Sequence, residues 1–202
     1  MSIHNRAFKA TIQSPRNAFV RWMDPDREAG IASGFKEAGD AVVDHAMSQI
    51  RHPDCFLFPI GFLYRHALEV QLKVLCRVGC KLYDEEPPKA IETHHLRSLW
   101  QSVRRYIELV WPQGDKSVLD QAEALILEFD TVDPLAQSFR YERDKKGQLQ
   151  LARLPESVTL ETLRSAVHDV FEFLDGCEMG LSEELSARYE MMAEFQHLYP
   201  DD

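Results

Sequence analysis

Three short stretches hold the residues whose types and spacing can do chemistry. In FLYRHALEVQLKVL (62–75), an otherwise apolar helix carries Tyr64, Arg65, His66 and Glu69. In THHLRSLW (93–100), His94 and His95 stand at a helix start, and in SFRYERDKKG (138–147) Arg140, Tyr141 and Arg143 precede Lys145 and Lys146. An imidazole titrates near neutral pH and can move a proton, while a guanidinium can hold a phosphate. The catalytic candidates are therefore His66, Arg65 and Arg140. Arg143, Lys145, Lys146, His94 and His95 are candidates for binding an anion or a partner, and Glu69, Tyr64 and Tyr141 for support. The competing reading is architectural: Arg65 and Glu69 are one turn apart and can pair, and a buried ion pair often only holds helices in register. Successive residues turn by about 100°, so Tyr64, Arg65 and His66 do not share one face. Arg140 has its own competing partners just upstream, in Glu128, Asp130 and Asp133.

No metal site or resident cofactor is expected. The acids Glu123, Glu128, Asp130 and Asp133 fit no calcium loop, and Cys55, Cys76, Cys80 and Cys177 form no zinc pattern. The glycine-rich phosphate loop, Gly-x-Ser-x-Gly and His-Glu-x-x-His are missing. The polar face Arg164, His168, Glu172 and Asp175 is most simply a solvated stripe.

At 202 residues with 45% hydrophobic content, the chain can build one sizeable core. No apolar run approaches the length of a membrane span, and the start MSIHNRAFKATIQS has no apolar signal core. A cytoplasmic protein with reduced thiols is the expectation. The net charge of −10 repels a polyanion over most of the surface and confines any nucleic-acid contact to a local basic cleft.

The elements that must position these residues read as helices. An arm over 1–32 is expected to pack through Phe8, Phe19, Val20 and Trp22. A helix over 33–50, capped by Ser33, repeats Phe35, Ala38, Val42 and Ala46 at helical spacing. The next helix runs to about Val78, with Pro59 at its start or at a kink, and its apolar circumference marks it as central. Thr93 caps a third helix (94–111) with Leu96, Leu99, Val103, Ile107 and Val110 inward. Ser117 caps a fourth (118–130) with Leu119, Ala122, Ile126 and Phe129 inward. Alternation of Phe139, Tyr141, Leu149 and Leu151 around 144–147 predicts a short β-hairpin. Helices over 159–175 and 182–198 follow. The sum is an all-α antiparallel bundle of about five to six helices with a short β-hairpin insertion. It divides into an arm (1–32), a bundle (33–176) and a C-terminal helix (177–202) that packs on the bundle or a partner.

The order of YRHALEVQLKVL, THHLRSLW and SFRYERD, spread over 33–176, resembles HEPN domains, helical bundles of prokaryotic defence and toxin–antitoxin systems and of larger RNA-processing proteins. The resemblance implies a homodimer acting on RNA without a metal, in which an Arg holds phosphate and a His four to six residues later assists attack by the ribose 2′-hydroxyl. That spacing is missing: DKKGQLQL after Arg143 holds no His, and Arg164 and His168 are separated by three residues. A non-catalytic module of the same type, binding a cognate protein or a ligand, is the alternative.

Overall fold

An apolar helix with no polar side needs cover all round, and here the chain wraps its own second helix. The structure, a computed structural model, describes residues 18, 27–48, 53–144, 146–150 and 152–198. Its helices are α1 (Arg27–Ser48), α2 (Asp54–Tyr83), α3 (Leu96–Val110), α4 (Lys116–Val132) and α5 (Leu160–Leu198), with a 3-10 turn at Lys89–Glu92 before α3. α1, α3 and α5 pack directly on α2, and α4 closes against α3 and α5. Ile60, Leu68, Leu72 and Leu75 of α2 are fully buried and meet Leu96, Leu99, Trp100, Ile126, Leu174 and Leu181 in one core. Each such aliphatic side chain contributes about 1.5–3 kcal/mol by leaving water.

Two glycines let neighbouring segments approach α2 closely. A Cβ on Gly39 would lie 2.5 Å from the Tyr64 ring, and one on Gly61 would lie 2.3 Å from the Phe139 ring. Glycine therefore brings α1 and the segment after α4 against α2 more closely than any other residue allows.

The boundaries differ from expectation where a side chain found another partner. α1 starts at Arg27, and Ser33, read as its cap, bonds back to the Ala29 carbonyl at 3.1 Å inside the helix. α2 runs through both Pro59 and Gly79 and stops at Asp84, whose left-handed φ of 51° returns its N–H to the Cys80 and Lys81 carbonyls. Asp115 caps α4 by accepting from the Ser117 N–H at 2.8 Å. Thr93 donates to the Ala90 carbonyl, leaving His95 as the first residue ahead of α3.

Two corrections are larger. No β-hairpin forms among the described residues: Arg143 and Leu149 make one isolated bridge, and Asp144 ties the turn through its own carboxylate to the N–H groups of Lys146 and Gln148. Phe139 is buried while Tyr141 is exposed, so the alternation has no sheet face to serve. The two C-terminal helices are one 39-residue helix. Gly176 and Gly180 do not break it, because Cys177 and Leu181 between and beside them are buried and Gly180 receives the edge of Trp111. The 176/177 boundary falls inside this helix. The arm contacts through Phe8, Phe19, Val20 and Trp22 lie outside the described residues, as do Lys145 and Leu151.

Candidate functional site

Arg65 joins the three chemistry-bearing stretches. It is 1% exposed, and its guanidinium donates in three directions. Nη1 bonds Glu69 Oε2 at 2.7 Å on the same helix, and Nη2 bonds the His94 carbonyl at 2.5 Å. Nε bonds the Asp133 carbonyl at 2.9 Å, with Asp133 Oδ2 3.5 Å away. Asp133 in turn accepts from the N–H groups of Gln137 and Ser138 at 2.6 and 2.8 Å through Oδ1. Those two bonds hold a turn in which Ala136 takes a left-handed φ of 56°, and the Ala136 carbonyl accepts from Arg140 Nε at 2.7 Å. A non-glycine residue in that region is strained and stays there only when its surroundings insist.

Glu69 is buried beside Arg65 and gathers two more groups on Oε1, Lys73 Nζ and His94 Nδ1, each at 2.8 Å. Burial pushes its carboxyl up, but the hydrogen bonds from Lys73, Arg65 and His94 outweigh burial and hold it at about 2. The carboxylate is therefore ionised at neutral pH and fixes the His94 ring by one nitrogen. The His94 side chain remains 60% exposed. A neutral imidazole whose Nδ1–H is donated presents Nε2 as an acceptor, the arrangement of an oriented general base.

His66 is placed differently. Its ring meets Phe35 edge-on at 4.4 Å and stacks on Phe62 at 5.8 Å. Burial lowers its pKa from 6.5, and the positive charges of Arg65 and Lys73 lower it further against the pull of Glu69. It is a neutral, aromatic-packed ring at neutral pH. Phe62 also lies under the Arg140 guanidinium, 6.0 Å from its centroid, and the Tyr141 ring is 5.8 Å from the same cation. His66, Phe62, Arg140 and Tyr141 thus form a cationic aromatic shelf.

Among the described residues no acid pairs with Arg140; Asp133 is taken by Arg65 and Asp130 by Arg97. Arg143 staples its own turn through the Gly147 carbonyl, and Lys146 is exposed on that turn. His95 is exposed. Tyr64 faces the other way and bonds Asp40 of α1 at 2.7 Å, so it ties helices together outside the Arg65 network.

Four side chains take parts that the sequence pattern did not assign. Lys73 stands four residues after Glu69, a legible helical spacing. Asp133 was read as an Arg140 partner and serves Arg65 instead. Phe62 and Phe35 looked like core and support the His66 ring. No three His, Cys, Asp or Glu residues are grouped as metal ligands among the described residues. No described helix is long and apolar enough to cross a membrane. Comparison with protein-family models, with curated proteins and with solved structures found nothing that matches this chain.

Proposed function

We propose that this chain is a HEPN-like protein that acts on RNA without a metal, of the type found in prokaryotic defence or toxin-related systems. The observation that carries the reading is the Glu69–His94 pair, an exposed imidazole oriented by a buried carboxylate at 2.8 Å. His94, not His66, is the proton-transfer group. Nε2 takes the proton from a ribose 2′-hydroxyl as that oxygen attacks the adjacent phosphorus. The 5′-oxygen leaves with a proton from water, and a cyclic phosphate remains. Arg140 offsets the charge that develops on the phosphate oxygens. Arg65 is a positioning residue, buried away from substrate and holding the His94 and Asp133 backbones. As in the family it resembles, the chain acts as a homodimer.

The test is cleavage of several short RNAs by purified chain with EDTA present. A competent protein loses about 10²–10⁴-fold in rate on His94→Ala. Arg140→Ala also loses activity, and His66→Ala retains most of it, with the helical circular dichroism of each variant unchanged. Absence of cleavage by the unaltered protein overturns the catalytic reading.

A second reading has its own observation. The end of α5 carries Tyr189, Met191, Met192 and Leu198 exposed, and such a flexible apolar row suits a non-catalytic module that docks a protein partner.

A further inference from the structure

The interior holds one feature that the RNA reading does not use. Between the start of α2, the second half of α4 and the start of α5 lies an open cavity of about 250 Å³. The segment 154–159 roofs it. Ala166 supplies almost no side chain, and the space is walled by Leu57, Phe129, Val132, Phe139 and other apolar groups. The Phe129 and Phe139 rings pack at 6.3 Å and make an aromatic wall. An apolar cavity of about 150 Å³ already takes a benzene-sized molecule, so this one accommodates a larger ring or a medium alkyl chain.

The rim decides the polar end of the guest. Among the described residues its only charged lining residue is Glu128, which is exposed and has no ion-pair partner there. Thr159 and Thr162 add hydroxyls. Among the described residues no cation lines the cavity, and the chain as a whole is strongly acidic. A carboxylate or phosphate head would meet repulsion, while an ammonium would find an unspent carboxylate and two hydroxyl acceptors.

We infer that this cavity is a binding site for a small apolar amine, with the hydrocarbon part among Phe129, Phe139 and Val132 and the ammonium at Glu128. The inference is independent of RNA cleavage.

The experiment titrates the full chain with n-octylamine, n-octanol and octanoate by amide-resolved NMR and calorimetry. Octylamine is expected to shift amides at 57–61, 125–132 and 158–166 and to bind about tenfold more tightly than octanoate, with octanol between. Glu128→Gln should bring octylamine to the level of octanol while leaving octanol unchanged. Ala166→Phe fills the cavity and should abolish binding of all three; Val158→Phe, in the roof, provides the same block if the helix variant does not fold. No shift with octylamine, octanoate binding as tightly as the amine, or binding that survives a folded cavity-filling variant overturns the assignment.

Discussion

The same five-residue pattern occurs on two helices with different consequences. On α2, Arg65 reaches Glu69 four residues on; on α3, Arg104 reaches Glu108 by the same spacing at 3.1 Å. Each arginine also leaves its helix: Arg65 for the His94 and Asp133 carbonyls, Arg104 for Asp120 and Glu123 of α4 at 2.8 and 2.6 Å. The difference is water. The Arg65 and Glu69 side chains are sealed beneath two loops, while Arg104 and its three acids keep contact with solvent. In the first place the hydrogen bonds replace hydration that has been lost entirely, so every partner is indispensable once the others are buried. In the second, water substitutes for any partner removed.

The sharpest way to break the comparison is to remove one member of the buried set. Arg65→Met removes the buried cation that Glu69 and Asp133 share and should cost about 3–5 kcal/mol in urea unfolding. The double variant Arg65→Met/Glu69→Leu should recover part of that loss, because Asp133 is then the one carboxylate of the set left beneath the loops without its cation. A double variant as unstable as the single one would show that the lost contacts to the His94 and Asp133 carbonyls dominate.

Acid separates the two regions next. The Glu69 carboxyl sits at about 2 in the folded chain against an ordinary 4.5. A depressed folded value contributes stability that is complete above the unfolded pKa and is lost as pH falls from 4.5 towards 2. His66 acts in the same direction at higher pH. Its folded pKa is below 6.5, so its contribution is full above 6.5 and shrinks as pH falls through the folded value. Unfolding free energy measured across the acid range should therefore decline in two stages, with the lower stage flattened in Glu69→Gln and the upper in His66→Phe.

The smallest effect belongs to the surface cluster. Arg104→Ala should cost no more than about 1 kcal/mol, and raising ionic strength to about 1 M should shrink the difference from the unaltered chain. A loss as large as that of Arg65→Met would mean that burial is not what distinguishes the two clusters.

Periodicity determined much of this protein. The central place of α2, the inward stripes of α3 and α4, and the Arg65–Glu69 pair all follow from residues spaced three and four apart, because a helix imposes that geometry locally. The helix starts differ from expectation: α1 begins six residues before Ser33, the N-cap of α3 lies two residues after Thr93, and at α4 the Asp115 carboxylate rather than Ser117 takes the cap position. The predicted hairpin failed because alternation needs a sheet to pack against, and the bundle offers none. Tertiary structure alone decided the rest. Arg65 meets a carbonyl 29 residues away and another 68 away, and Asp133 was drawn to it instead of to nearby Arg140. His94 became the oriented imidazole, and His66 the half-buried ring, through contacts that no local spacing encodes. Burial and long-range partnership depend on which surfaces the packed helices bring together, and a linear pattern carries only the part of that information that lies within one turn.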